Sequence, residues 1–359
     1  MMKRVCFYLS DHGFGHIARN IPNIVSVVKN DDTLVYVVCG ERHIEFAKQN
    51  LEMMLTAEEY QRISFRSEHT DVGLICKTGT LLVDTKKLTQ ACTEYLSELP
   101  QKAAQEAEWL TENRIDAVLC DMPLWSIEAC ELAKVPLLYV GNFTWTELYR
   151  EFLPESIWKE YAKYYQKIKH TMLYALHNPE MLEFLKTSEI TKTSVTARSF
   201  HENAVAEIRS KHKRPIVFVA LGMSAQFKKP VDVGNVPYDF YTTEGVPLVG
   251  ENVEAIPYST LNTQDYVAAS DYVISKAGWG TVAECLLARK PMALFRRDSV
   301  LEDRTTIKLL EEKHLAISIT QEDLQDMERI IKKMNQLDGG YSEFYGCADE
   351  VAEKLYSLR

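Results

Sequence analysis

The chain of 359 residues has no long hydrophobic run, no C-x-x-C pair and no excess of basic charge. Its longest apolar stretches, residues 5–9, 35–39, 136–140 and 215–221, fall far short of the roughly 20 residues of a membrane-spanning helix. With 41 Lys and Arg against 51 Asp and Glu, the formal net charge is −10. That excludes a general nucleic-acid binder but leaves room for a local basic pocket for a phosphate. The eight cysteines follow no zinc-ligand spacing, and Cys6, Cys39 and Cys120 lie inside apolar, strand-like runs. They read as buried free thiols in a reducing compartment. The first residues turn polar too soon for a secretory leader, so the expected location is the cytoplasm, with no integral membrane segment. There is no internal repeat and no low-complexity segment.

A composition of 46% hydrophobic and 26% charged residues is that of an ordinary globular protein, and at roughly 150 residues per domain the length predicts about two domains. Apolar strand patterns at residues 3–9, 33–40, 63–67, 116–121 and 136–141 alternate with helical ones at residues 16–29, around 44–47, at 86–113 with a break near Pro100, and at 124–133. Such alternation predicts a parallel sheet covered on both faces. Residues 144–185 are aromatic-rich and read as helical. The basic run 211–214 marks an expected hinge. A second α/β unit follows, with strands at 215–221, 272–275, 291–295 and 315–319, short segments at 240–243 and 246–249, and helices at 263–268, 281–288 and 305–312. In such sheets, ligands sit beyond the carboxyl ends of the strands.

Four loops at those ends carry chemistry. The first, S-D-H-G-F-G-H-I-A-R, holds Gly13 and Gly15 for tight turns and both His12 and His16. Histidine is the side chain suited to take a proton near neutral pH; the plainer reading makes either one a helix-start residue bonded to backbone. G-F-G-H-I-A also matches the dinucleotide fingerprint G-x-G-x-x-A, with Glu41 near the place of a ribose-binding acid. An NAD-dependent dehydrogenase is therefore one reading, though it leaves the other glycine loop unexplained. The second site is Asp121, which either orients an imidazole or caps the helix that follows.

The third site, S-D-Y-V-I-S-K-A-G-W-G-T-V-A-E, includes Ser275, Lys276, Gly278, Gly280, Thr281 and Glu284. Its glycines and helix start suit phosphate oxygens, and Glu284 suits a ribose diol; placement at the positive helix end is the alternative for Glu284, and a solvated surface position for Lys276. The fourth, F-R-R-D, offers Arg296 and Arg297 to phosphate and Asp298, with Glu302, to sugar hydroxyls, or forms a surface ion-pair patch. The loop L-G-M-S adds Gly222 and Ser224.

Together these loops resemble those of GT-B glycosyltransferases. H-G-F-G-H-x-x-R, N-F-T-W at residues 142–145 and K-x-G-x-G-T-V-x-E with F-R-R-D are especially similar to a bacterial glycosyltransferase-like group related to the amino-terminal half of plant L-arabinokinases. The resemblance implies an α/β fold of two Rossmann-like, doubly wound parallel-sheet domains facing across a cleft. Residues 1–200 would form the acceptor-side domain and 201–341 the nucleotide-sugar-binding domain, with a helix in 342–359 crossing back to the first. It implies His16 as general base supported by Asp121, and Glu284 on the ribose. Gly278, Gly280 and Thr281 would hold phosphate, with no catalytic metal and no tightly bound cofactor. A nucleotide diphosphate sugar, UDP-linked, would be co-substrate; the acceptor would be a small molecule, a glycan precursor or a protein. Arg19 stands where many members have proline, as in some nucleotide-sugar hydrolases. The expected activity is therefore sugar transfer to a hydroxyl, with nucleotide-sugar hydrolysis as the alternative and a non-catalytic nucleotide-sugar binder behind it.

Overall fold

In the computed structural model, residues 2–30, 32–78, 82–221, 230–257 and 259–358 are described. They divide into two compact units: Met1–Lys77, Leu82–Thr196 and Gly346–Arg359 in the first, Ala197–Tyr345 with Thr78 in the second.

Among the described residues, the first unit is built on a seven-stranded parallel sheet. Its strands are β1 (Lys3–Leu9), β2 (Thr33–Cys39), β3 (Ile63–Ser67), β4 (Ala117–Asp121), β5 (Leu137–Gly141), β6 (His170–Leu173) and β7 (Glu189–Lys192), in the order β3-β2-β1-β4-β5-β6-β7. Every residue of β4 and β5 is buried. Because successive side chains point to opposite faces, both faces of the sheet are covered. Helix Gly15–Val28 buries Ile17, Ile21, Ile24 and Val28 at helical spacing. Helix Ala348–Ser357 returns to this unit and packs on Gly15–Val28, where Tyr356 donates to the Val27 carbonyl at 2.7 Å and Ser26 to Asp349 at 2.6 Å.

The second unit has a six-stranded parallel sheet in the order β12-β10-β8-β13-β14-β15. The strands are β8 (Ile216–Ala220), β10 (Asp239–Thr243), β12 (Val253–Ile256), β13 (Tyr272–Lys276), β14 (Met292–Phe295) and β15 (Ala316–Ile319), while β9 (Val231–Asp232) and β11 (Leu248–Val249) pair with each other apart from it. Its core sets Val217, Val219, Phe240, Ile274 and Ala293 against Ile330, Ile331 and Met334. Both units are thus Rossmann-like α/β sheets.

The structure departs from the sequence expectations in identifiable places. Helix Thr85–Glu112 runs unbroken through Pro100; proline costs one backbone bond there, and the buried stripe Leu88, Cys92, Leu99, Ala103 and Leu110 holds both halves in line. The helical reading of residues 144–185 holds only to Tyr165. Beyond it lie β6, a 3₁₀ turn at Pro179–Glu183 and β7, segments of four or five residues that pair in parallel at the sheet edge and are too short to carry a period. The strand at residues 253–256 went unread for the same reason. The run 211–214 is not a hinge, since it lies inside the second unit between helix Glu202–Ser210 and β8. The last helix starts at Ala348, not near residue 342. All eight cysteines are free and all but Cys76 are not exposed; burial pushes the Cys6, Cys120 and Cys130 thiols well up, which keeps them unreactive. Among the described residues no helix is long and apolar enough to cross a membrane.

Candidate active site

In a doubly wound sheet the binding crevice opens where strand order reverses. In the first unit that point lies between β1 and β4, so the loop after Leu9 and the end of β4 at Asp121 are neighbours, and Ser10 N–H donates to the Asp121 carbonyl at 3.0 Å. Gly13 sits at φ +69, which favours glycine. Gly15 opens the helix, and a Cβ there would meet nothing within 4 Å.

His16 and Asp121 meet: Nδ1 lies 2.9 Å from Oδ1. Asp121 is fully buried and is no helix cap, because its carboxylate is spent elsewhere. Arg19 donates to both its oxygens, with Nε 2.7 Å from Oδ2, and Asn20 Nδ2 donates to Oδ2 at 2.6 Å. Burial by itself would raise the Asp121 carboxyl; the charges and hydrogen bonds of Arg19 and His16 overcome it and hold the group well below the usual carboxylate range. Arg19 Nη1 donates to Asn142 Oδ1 at 2.7 Å, and Nη2 lies 3.0 Å from His16 Nδ1. An anionic Asp121 calls for a proton on Nδ1, which leaves the lone pair on Nε2.

The N-F-T-W segment frames this group. Phe143 and Trp145 stand 5.9 and 6.4 Å from the His16 ring, centroid to centroid. Thr144 caps the next helix in a box with Glu147, whose carboxyl is pushed up to about 8 by burial. His12 lies edge-on to Trp145 at 5.4 Å and packs on the bare backbone of Gly73, where a Cβ would come within 2.0 Å of its Nδ1.

Behind the loop is a second buried carboxyl, Asp71. It accepts from Ser10 Oγ at 3.0 Å and from Trp145 Nε1 at 2.7 Å, and Ser10 Oγ in turn accepts from the His12 amide at 3.1 Å. Burial, then the charge of Asp11, push Asp71 up to about 8. Asp11, although burial acts to raise it, is held low by hydrogen bonds from His69 and Asp71. Asp71 therefore keeps a proton that the unfolded chain gives up, and its contribution to stability falls as pH rises from about 4 toward 8. Asp71→Asn mimics the protonated acid and does not titrate. Urea unfolding is expected to show the variant gaining on the wild type by about 1.4 kcal/mol per pH unit between pH 5 and 7, and less as pH nears 8. Asp11 is ionised throughout that window and His69 titrates in both proteins; a pH-independent difference would show that Asp71 is not a neutral acid.

In the second unit the order reverses between β8 and β13. The loop after β8 includes Gly222 and Ser224, which lie outside the described residues. After β13, helix Trp279–Ala288 begins two residues earlier than expected, with no acidic residue in its first turn and no side-chain cap. The amides of residues 279–281, Thr281 among them, thus have no intrahelical acceptor. A Cβ on Gly280 would meet nothing within 4 Å, and one on Gly278 would only touch the Lys276 stem at 3.4 Å; neither has a φ in the left-handed region, so neither glycine is demanded by the chain itself. Lys276 is partly buried, its ammonium group has no hydrogen-bond or ion-pair partner among the described residues, and burial, with the Arg297 charge, pushes its pKa down. Ser275 is buried and donates to the Lys276 carbonyl at 2.8 Å.

Glu284 lies in the second helical turn, not the first, which removes the helix-dipole explanation. Its Oε1 accepts from Arg198 Nε at 3.1 Å and Nη2 at 2.8 Å. F-R-R-D splits: Arg296 pairs with the exposed Asp298 at 3.3 Å, whereas Arg297 grips the buried Asp303 through Nε and Nη2. Glu302 opens helix Leu301–Glu312 beside them.

Residues 194–342 match the glycosyltransferase family 28 C-terminal domain. The second unit is thus similar to a glycosyltransferase domain. The chain is also 22% identical over 343 residues to L-arabinokinase of Arabidopsis thaliana, covering 89% of this chain but only 30% of that protein's length. Among solved structures, UGT89C1 of Arabidopsis thaliana aligns over 99% of this chain and 95% of its own at 12% identity and a TM-score of 0.66. UGT2 of Phytolacca americana, complexed with UDP-2fluoro-glucose and pterostilbene, aligns over 98% and 94% at 12% identity and 0.62. SnogD from Streptomyces nogalater aligns over 99% of both chains at 14% identity and 0.59. The fold is GT-B.

Three residues that contact the expected ones had no role assigned from sequence. Asn20, with Arg19, follows His16 at helical spacing and so shares its face, a signal that was available. Asp71, and Arg198 in the second unit, carried none, because their partners are remote in the chain.

Proposed function

We propose that the chain transfers a sugar from a nucleotide diphosphate sugar to an acceptor hydroxyl, with the first unit activating the acceptor and the second unit holding the nucleotide. The observation that carries this reading is the buried His16–Asp121–Arg19 group at the strand-order reversal of the first sheet. Asp121 accepts a hydrogen bond from Nδ1–H and fixes the tautomer, so Nε2 takes the proton of the acceptor hydroxyl. The acceptor oxygen attacks the anomeric carbon, the bond from that carbon to the diphosphate oxygen breaks, and the nucleotide diphosphate departs with the electron pair. Lys276 and the start of helix Trp279–Ala288, at Gly280 and Thr281, suit the charge that builds on it. Glu284 would receive the ribose. A UDP-linked donor is favoured by the Phytolacca protein, whose complex contains UDP-2fluoro-glucose.

The test is thermal stabilisation by UDP, GDP, dTDP and ADP, their sugar conjugates, and NAD. A ligand at 100 times its dissociation constant adds about 2.7 kcal/mol. Stabilisation by one nucleotide diphosphate supports the donor reading and names the base; a response to NAD alone overturns it. With the donor named, release of free sugar as the sole product even when acceptors are supplied would replace transfer by hydrolysis.

A further inference from the structure

Glu284 does not stand alone at the helix that follows β13. Its side chain is 8% exposed and that of Arg198 is 7% exposed. A carboxylate so far out of water needs a hydrogen-bonded partner, and Arg198 supplies it from just past the point where the chain enters the second unit. The guanidinium is fixed on three sides. Nε and Nη2 go to Glu284 Oε1, Nη2 also donates to Thr263 Oγ1 at 3.1 Å, and Nη1 donates to the Leu261 carbonyl at 2.5 Å. One planar fork therefore ties the segment at Arg198, the start of helix Thr263–Ala269 and helix Trp279–Ala288 together.

The result is an asymmetric carboxylate. Oε1 takes both bonds from Arg198, while Oε2 has no hydrogen-bond partner among the described residues. Oε2 therefore retains its acceptor capacity, on a group whose position is set from outside the helix. A pair of vicinal hydroxyls is the donor set that such an oxygen suits, and a ribose has one where a 2′-deoxyribose does not. We propose that Arg198 is the positioning residue that makes this site select ribonucleotides over 2′-deoxyribonucleotides, by holding the Glu284 side chain in place with one oxygen reserved for the sugar diol. The proposal rests on the donor-site reading above and adds to it a discriminating residue and a ligand class. Lysine cannot replace arginine here, because a single ammonium cannot reproduce a planar fork that reaches Glu284, Thr263 and Leu261 at once.

The experiment is calorimetric titration of the full chain with UDP and 2′-deoxy-UDP, and with the ADP and GDP pairs. The 2′-deoxy compound is expected to bind on the order of tenfold to a hundredfold more weakly, the worth of one hydrogen bond to a charged group. In Arg198→Lys that ratio falls toward one, chiefly through weaker binding of the ribonucleotide. Glu284→Gln, which keeps the side-chain shape, lowers the ratio in the same way and guards against misfolding of the lysine variant. A merely structural Arg198 would weaken both ligands equally and leave the ratio intact, which would overturn the proposal. So would a wild-type protein that binds UDP and 2′-deoxy-UDP alike, with the donor site still standing. A wild type that binds no ribonucleoside diphosphate overturns the donor reading itself, and this proposal with it.

Discussion

Asp121→Ala is expected to cost the first unit about 3–5 kcal/mol, the price of leaving a buried charge without its counter-ion. Asp121 is fully buried and takes both ends of the Arg19 guanidinium, itself 3% exposed, together with Asn20 and His16. Without the carboxylate, a buried cation remains beside an imidazole and a side-chain amide that all present donors. The double variant Asp121→Ala/Arg19→Met removes both charges and is expected to recover much of the loss, since the penalty belongs to the unpaired charge and not to a missing contact. The pH dependence has a definite sign. Asp121 is held well below the ordinary carboxylate value, so its contribution is present above about pH 4 and is lost as pH falls through and below that value. The gap between wild type and Asp121→Ala should therefore narrow in acid. Urea unfolding followed by tryptophan fluorescence reads it, and a loss within about 0.5 kcal/mol, the scale of a surface substitution, would show that Asp121 does not hold Arg19 by charge.

His16→Ala is expected to lower turnover by about 10²- to 10⁴-fold, the range of a positioned general base. Nucleotide affinity should not change, because the groups proposed to hold the nucleotide lie in the other unit. Stability should change little beside Asp121→Ala, since Arg19 keeps its carboxylate. The measurement is product formation with a confirmed donor and acceptor, alongside calorimetry with the nucleotide alone. Wild-type turnover in the variant would remove His16 from the chemistry. Loss of nucleotide binding would mean that the histidine acts on the donor instead.

The strands that carry the loops were legible because each is an apolar, β-rich run closed by a polar or glycine turn. Val5–Leu9 and Ala117–Asp121 are buried along their whole length, the mark of a parallel strand covered on both faces. His16 and Asp121 are 105 positions apart, yet both follow from one rule, that parallel strands bring their carboxyl ends to a common edge. Asp71 had no such rule behind it. It lies outside any strand, and its partners Ser10 and Trp145 are 61 and 74 positions away; only the folded chain shows that a carboxyl there is dry. Arg198 is 86 positions from Glu284 in a stretch with no periodic signal. The short edge strands β6 and β7 were unreadable because four residues span less than two alternations, and neighbouring strands, not local pattern, decide their state.

The return of residues 346–358 to the first unit has a consequence for biosynthesis. Nearly all of the second unit is the stretch Ala197–Tyr345 and none of it lies later in the chain, so everything it needs has been synthesised before the first unit receives its last helix. Domains made in sequence usually fold from the amino terminus. Here the order of completion is inverted: the amino-terminal sheet waits, with the face of helix Gly15–Val28 that Ala348–Ser357 will cover still bare, until the final segment of this sequence is translated. A chain ended after residue 345 and released would therefore carry every residue of the second unit joined to an unfinished first one.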